Sequence, residues 1–461
     1  MTISRLLLPA LLAASALGAE PASSPLPEPA QELRGAVWAA VRSPDEPACA
    51  KALEILRARA DASIQAVEQA LREGPPRPAE TLKGPLEDFA AESENYGRAR
   101  LKITSEIPVT CEHVNYTSTF LLYVPTSYDP AKPHPLCVVF MGGSSTKTVD
   151  EARTITGLYL QPWIPLAEKR GWIVAAPVTT RGWGALGRSL TRSTIHEVMR
   201  RYHVDPDRVF GWGQSMGANA CWREGLLTPD EWAGIAPVCG GADYGDGWKN
   251  LNRLFVYQVW GDGDPHSAGF PAINRKIAQD MKRFGIACVS VPKSGGHELY
   301  EEEIPAILEA FSAHPRDLFP RRIDAAANAP WLDQPDGPMP DWKEQYRWTK
   351  PMPFARFYWT QMFERMDDAK IAGWTAEVKE GNRIEVSTDN VKTLRLFLHD
   401  RLLDLGKGVT VVLNGKTVFE GKVERSLKVM IDEVRASGDP GRAFQAVLDL
   451  HPEPPAPAPA P

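Results

Sequence analysis

Apolar positions along this chain change their spacing three times, and each change predicts a different kind of structure. Leu33, Val37 and Val41 fall four apart, and Ile64, Val67 and Leu71 repeat that helical spacing until Gly74-Pro75-Pro76 interrupts it. From about Leu101 the chain turns to short apolar runs alternating with helical segments. Thr119–Val124, Cys137–Met141, Trp172–Ala176, Val209-Phe210, Leu254–Trp260 and Ala287–Val291 predict strands. Ile195, Val198, Met199 and Tyr202 predict one helix, and Ile304, Ile307, Leu308 and Phe311 another. Continuous apolar strands separated by helices predict a mostly parallel sheet covered on both faces. After residues 320–350, rich in Pro, Asp and Trp, the period becomes two. Leu394, Leu396 and Leu398 alternate with Arg395, Phe397 and His399, and Val409, Val411 and Leu413 lead into Asn414-Gly415, a hairpin turn signal.

These shifts divide the chain into residues 19–100 (spacer and helical segment), 101–319 (α/β domain), 320–350 (linker), 351–450 (small β-rich module) and 451–461 (Pro/Ala tail). Met1–Gly18 stands apart. Arg5, the apolar run Leu6–Leu17 and the small residues Ala16 and Gly18 predict a secretory signal peptide. The run is short of the roughly 18–20 residues that span a bilayer, so stable membrane insertion after cleavage is not expected. No cysteine follows at the cleavage position to carry a lipid anchor. The expectation is therefore a secreted or periplasmic protein.

Composition narrows the choice of chemistry. The chain has 461 residues with 43% hydrophobic and 24% charged, which suits a folded soluble protein of more than one unit. Its net charge of −6 and the lack of a basic stripe argue against a nucleic-acid surface. Export would permit disulfides, but Cys137, Cys221 and Cys288 lie in runs where a free cysteine serves as a small core residue, and spacing cannot assign pairs. No C-x-x-C and no H-E-x-x-H occurs, so neither a metal nor another cofactor is expected.

The candidate chemistry centres on Gly213-Gln214-Ser215-Met216-Gly217, a G-x-S-x-G pattern between the strand at Val209-Phe210 and a helix rich in small residues. At such a nucleophile elbow the serine hydroxyl is presented on a strained turn, and the glycines leave it room. A serine needs a base, and the base a group that fixes its tautomer. Two later loops could supply them, Gly261-Asp262-Gly263-Asp264-Pro265-His266 and Ser294-Gly295-Gly296-His297-Glu298, each following a predicted strand. His297 is favoured over His266 and over His314 because it follows the acid and has glycines before it. Spacing leaves Asp262 and Asp264 close to even. The N–H of Met216 and the turn Gly142-Gly143 are candidate oxyanion donors. Trp183 and Gln214 are candidate substrate contacts. Gly143–Thr148 lacks the glycine before lysine that a phosphate-binding loop requires.

On these residues the chain resembles the α/β-hydrolase superfamily. They are the run Asp205-Pro206-Asp207-Arg208-Val209-Phe210-Gly211-Trp212 leading into the elbow, with Gly261-Asp262-Gly263-Asp264 and Gly296-His297. Within the superfamily it is similar to the esterase branch, which includes polyhydroxybutyrate depolymerase-like, feruloyl and acetyl-xylan esterases, and to prolyl oligopeptidase-like hydrolases. The resemblance covers residues 105–315. It implies an α/β-hydrolase fold, a Ser215–His297–Asp264 triad with Asp264 chosen by its place three residues after Gly261, and an ester substrate, small or polymeric and carbohydrate-linked among the options. Trp260 and Met141 depart from histidines common in that branch. Two other readings compete: a prolyl-oligopeptidase-like peptidase, for which the N-terminal region is too short for a propeller, and a non-catalytic protein binding polysaccharide or the cell envelope. The sequence leaves the oligomeric state open.

Overall fold

Local signals start the first helices. Asp45 and Ser63 accept hydrogen bonds from the N–H groups of Ala48 and Ala66, capping α2 (Glu46–Arg57) and α3 (Ile64–Arg72) after α1 (Glu28–Arg42). A computed structural model describes residues 28–76, 87–93, 97–103, 105–143, 148–265, 269–327 and 355–453. The expected signal peptide, the tail from 454 and residues 328–350 of the expected linker lie outside the described residues.

An antiparallel pair, β1 (Glu87–Ser93) and β2 (Gly97–Ile103), spans the boundary at residue 100 between the expected spacer and helical segment and the α/β domain. The central sheet then follows in chain order. Its elements are β3 (Ser105–Thr110), β4 (Thr117–Tyr123), β5 (His134–Phe140), α4 (Val149–Leu160), α5 (Ile164–Arg170), β6 (Ile173–Val178), α6 (Ala185–Arg201), β7 (Val204–Gln214) and α7 (Met216–Leu227). β8 (Gly234–Val238), β9 (Phe255–Gly261), α8 (Phe270–Arg283), β10 (Cys288–Lys293) and α9 (Ile304–Ala313) complete it. The eight strands lie in the order β10-β9-β8-β7-β5-β6-β4-β3. Neighbours from β10 through to β6 pair in parallel, and β4 is antiparallel to both β6 and β3. Every residue of β6, β8 and β9 is buried, as strands covered on both faces require. All six cysteines are unpaired, five of them buried.

The C-terminal module begins earlier than its alternation suggested. Residues 322–327, assigned above to a linker, form β11 (Arg322–Ala327), an edge strand paired with β14 (Ala372–Lys379). Asn250 of the α/β domain secures it, donating to Ala326 O at 2.9 Å and accepting from Ala326 N at 2.8 Å. An Arg-Ile-Asp-Ala-Ala-Ala run has little intrinsic strand preference, so tertiary pairing decides its conformation. Strand β14 alternates buried and half-buried residues, the pattern of a sheet with one face on a core. The module holds a five-stranded and a four-stranded sheet together with a helix, Leu427–Ser437. That helix, not the α/β domain, closes the core of α1–α3: Met430, Ile431 and Val434 pack with Val37, Leu53 and Val67. The sequence expected a helical pair on the main domain; amphipathic faces show that a partner exists without saying which.

A buried ionic junction joins the units. Arg316, at the end of the α/β domain, binds Asp439 of the module at 2.6 Å and Asp207 of β7 at 2.9 Å, and Arg72 of α3 reaches Asp207 at 3.4 Å. Arg442 pairs with Asp230 at 2.5 Å, both almost fully buried. Burial alone would raise the Asp439 carboxyl, yet Arg316 and Arg442 outweigh it and hold the group well below 3.8. A carboxyl so depressed stabilises the fold fully above about pH 5 and loses that contribution as pH falls through the unfolded and then the folded value. Arg316→Ala is therefore expected to cost about 3–5 kcal/mol in urea unfolding at neutral pH, because it leaves Asp207 and buried Asp439 to longer contacts with Arg72 and Arg442. It should also flatten the loss of stability in acid. An unchanged urea midpoint would refute the assignment.

Candidate active site

Ser215 follows β7 directly and begins α7, with φ 59° and ψ −116°. Backbone held there costs about 1–3 kcal/mol and persists only where the surroundings impose it. They do so through two glycines. A Cβ on Gly213 would lie 2.6 Å from the Gly217 carbonyl and 2.8 Å from Phe140 O, and one on Gly217 would run into the Phe140 carbonyl group. Helix α7 thus crosses the end of β5 backbone to backbone. Ser215 N donates to Val238 O at 2.8 Å, fixing the turn against β8.

The acid and the imidazole come together from the ends of β9 and β10. His297 Nδ1 donates to Asp264 Oδ2 at 2.6 Å, with the carboxylate buried and the ring only 12% exposed at its side chain. This contact separates the two aspartates that spacing could not. Asp262 is exposed and instead accepts from Arg275 at 2.6 Å and from Trp260 Nε1 at 3.0 Å. His266 lies outside the described residues, and His314 stacks on Phe255 at the end of α9. The loop carrying His297 is held closely. Gly263 N donates to Gly295 O at 3.0 Å and Tyr300 Oη to Gly296 O at 2.8 Å, while a side chain on Gly261 would occupy the space of both loop carbonyls. Phe270 of α8 stacks on the ring of His297 at 5.8 Å.

Beside the acid and the imidazole lies Cys239, which sequence reasoning did not single out. It follows β8, whose last residue receives the Ser215 N–H, and its Sγ donates to the Gly296 carbonyl at 3.8 Å. Cys239, Asp264 and His297 place one sulfur, oxygen and nitrogen within 4.8 Å of one another. Burial pushes the thiol up to about 11, so at neutral pH it is protonated. Its φ of 50° is unusual for cysteine and was the one backbone clue, invisible in sequence.

The remaining candidates divide. Met216 is the first residue of α7, where backbone N–H groups have no helical acceptor. Gly142 lies against the elbow, since a Cβ there would meet Gln214 O at 2.7 Å, and Gly143 is exposed with φ 99°. Gln214 and Trp183, expected from sequence as substrate contacts, are both buried. Gln214 is buried and accepts from Tyr159 Oη at 2.7 Å; Trp183 is 5% exposed, donates to Met141 O at 2.9 Å and packs edge-on against Phe140. Their contacts run to the Met141-Gly142 segment. An aromatic in a glycine-flanked loop gives no sign of which way it turns.

Sheet order, the antiparallel second strand and the elbow after β7 define an α/β-hydrolase fold. No family model and no curated protein matches the chain. Among solved structures it is similar to a thermostable esterase, at 16% identity and TM-score 0.40, covering 49% of this chain and 70% of the other. A feruloyl esterase module from Clostridium thermocellum gives 16% identity and TM-score 0.35 over 51% and 96% of the two chains. Dipeptidyl peptidase 4 from Porphyromonas gingivalis gives 13% and 0.37 over 49% and 41%. Likenesses this distant do not bear on chemistry, which rests on the residues themselves.

Gly217→Ala should destabilise the fold by about 1–3 kcal/mol, because a methyl group there meets backbone that cannot move aside. Gly35→Ala in α1, with open space around its Cβ position, should instead stabilise by about 0.5–1 kcal/mol. Denaturant midpoints of the two variants moving in the same direction would contradict this account of the elbow.

Proposed function

We propose that this protein is a serine hydrolase that cleaves carboxylic esters through an acyl-enzyme, with Ser215 as nucleophile, His297 as base and then acid, and Asp264 as its orienting partner. The observation that supports it most is the 2.6 Å Asp264–His297 bond, formed on loops at the ends of β9 and β10, in the same sheet as β8, whose last residue receives the Ser215 N–H. With Nδ1–H given to the carboxylate, Nε2 carries the lone pair that can accept the serine proton. Ser215 Oγ attacks the ester carbonyl carbon as its proton passes to Nε2, and the carbonyl oxygen becomes an oxyanion near the Met216 N–H and the Gly142-Gly143 turn. Collapse breaks the ester bond and the alcohol leaves with the proton from Nε2. Water, deprotonated by the same nitrogen, then attacks the acyl carbon and releases the acid and free Ser215.

Export belongs to the same proposal and rests on the composition of Met1–Gly18. Among the described residues no helix is long and apolar enough to cross a membrane. The substrate proposed is an ester, small or polymeric, met outside the cytoplasm.

A fluorophosphonate probe should label the intact protein and fail to label Ser215→Ala; an unlabelled, folded wild-type protein would sink the reading. Acyl esters should be turned over and proline-containing peptides should not, and turnover of peptides alone would replace the esterase with a peptidase. Asp264→Asn should lower kcat on the order of 10⁴-fold, since an amide favours the wrong imidazole tautomer, whereas Asp262→Asn should change it less than about threefold, within ~0.7 kcal/mol of barrier.

A further inference from the structure

The cysteine inside the site has no part in ester hydrolysis as set out above, yet it faces the two residues that govern the base. Among the described residues, Cys239, Asp264 and His297 form the one trio of potential metal-ligating side chains drawn within 4.8 Å. Two of the three are buried. The sulfur's hydrogen bond to Gly296 O is long and weak. Thiolate, imidazole and carboxylate together are a donor set that zinc favours, whereas magnesium and calcium prefer oxygen alone.

We propose that Cys239, Asp264 and His297 form a binding site for Zn2+ or a similar borderline-soft divalent cation, and that its occupancy switches the imidazole off as a base. Tetrahedral bonds of about 2.0–2.3 Å set neighbouring ligand atoms about 3.5 Å apart, so Nδ1 and Oδ2, now 2.6 Å apart, open by about an ångström while the sulfur, within 4.8 Å of both, closes on them. The cation takes the place of the proton between Nδ1 and Oδ2. The thiol loses its proton, Nδ1 loses its own and Nε2 gains one, so a single proton leaves to solvent for each ion bound. Nε2 is then an N–H donor with no lone pair for the serine hydroxyl. A water would complete the four-coordinate shell. The silencing of the base rests on the hydrolase reading; the binding of the cation does not.

Cobalt substitution and zinc inhibition test the two parts separately on the full chain. Co2+ should produce a thiolate-to-metal charge-transfer band in the wild-type protein, lost in Cys239→Ser and independently in His297→Ala. Micromolar Zn2+ should suppress ester turnover reversibly, with activity restored by a chelator, and the ratio of activities with and without zinc should shift at least tenfold in Cys239→Ser. No cobalt band, or a band that survives in both variants, overturns the site. A band that depends on Cys239 without inhibition by zinc overturns the switching of the base. Should the wild-type protein show the band but take no fluorophosphonate label, the metal site stands and the hydrolase reading falls.

Discussion

Helix α7 touches the backbone of β5 with no side chain between them, and the chemistry proposed for this chain follows from that contact. Gly213 and Gly217 are the positions at which any Cβ would strike main chain, so the approach exists only with hydrogen at both. Once the helix is that close, the residue joining it to β7 must turn within one peptide unit, and Ser215 is held at φ 59°. Strain of about 1–3 kcal/mol is small against the burial of β6, β8 and β9, which fixes the sheet beneath the turn.

The other side of the site depends on a second close approach. Gly261 lets the Gly295-Gly296 carbonyls pass over the end of β9, and Tyr300 ties Gly296 from below. His297 is thereby delivered to Asp264 from a loop that would otherwise be free to wander. A preorganised imidazole of this kind needs no reorganisation when the proton moves, which is where such sites gain most of their rate. Cys239 stands beside the acid and the imidazole, and its thiol stays protonated because burial disfavours the thiolate. A cation able to displace that proton changes the same geometry from a base into a ligand set.

Away from the site, buried charge marks the meeting of the module with the α/β domain. Arg316 is enclosed by Asp207 and Asp439, and Arg442 by Asp230 and Asp439. Buried pairs of this sort contribute little net stability over a well-packed apolar contact, but removing one partner is expensive. They specify one seating of the module on the α/β domain. The same module closes the N-terminal helices through Met430, Ile431 and Val434, so first and last segments of the described chain share a core.

Period and turn chemistry made much of this legible in sequence. The apolar runs ending at Met141, Trp260 and Val291 correspond to strands, and the glycines around Ser215 marked the elbow because only glycine tolerates backbone at contact distance. Order along the chain brought forward His297. Other features had no local signature. Asp262 and Asp264 differ only in which way each carboxylate turns; Trp183 and Gln214 differ from surface residues only in what covers them. The strand Arg322–Ala327 exists because Asn250 and β14 pair with it, and α1–α3 find their partner nearly four hundred positions away. The amino-acid sequence by itself determined where the chain must bend and which faces must be buried, since those are steric and solvation properties of neighbouring residues. Spacing left the two aspartates level and only the resemblance preferred Asp264; tertiary structure alone showed that acid meeting the imidazole with a thiol beside them, because distances between separate loops are set by how the strands stack and by nothing within either loop.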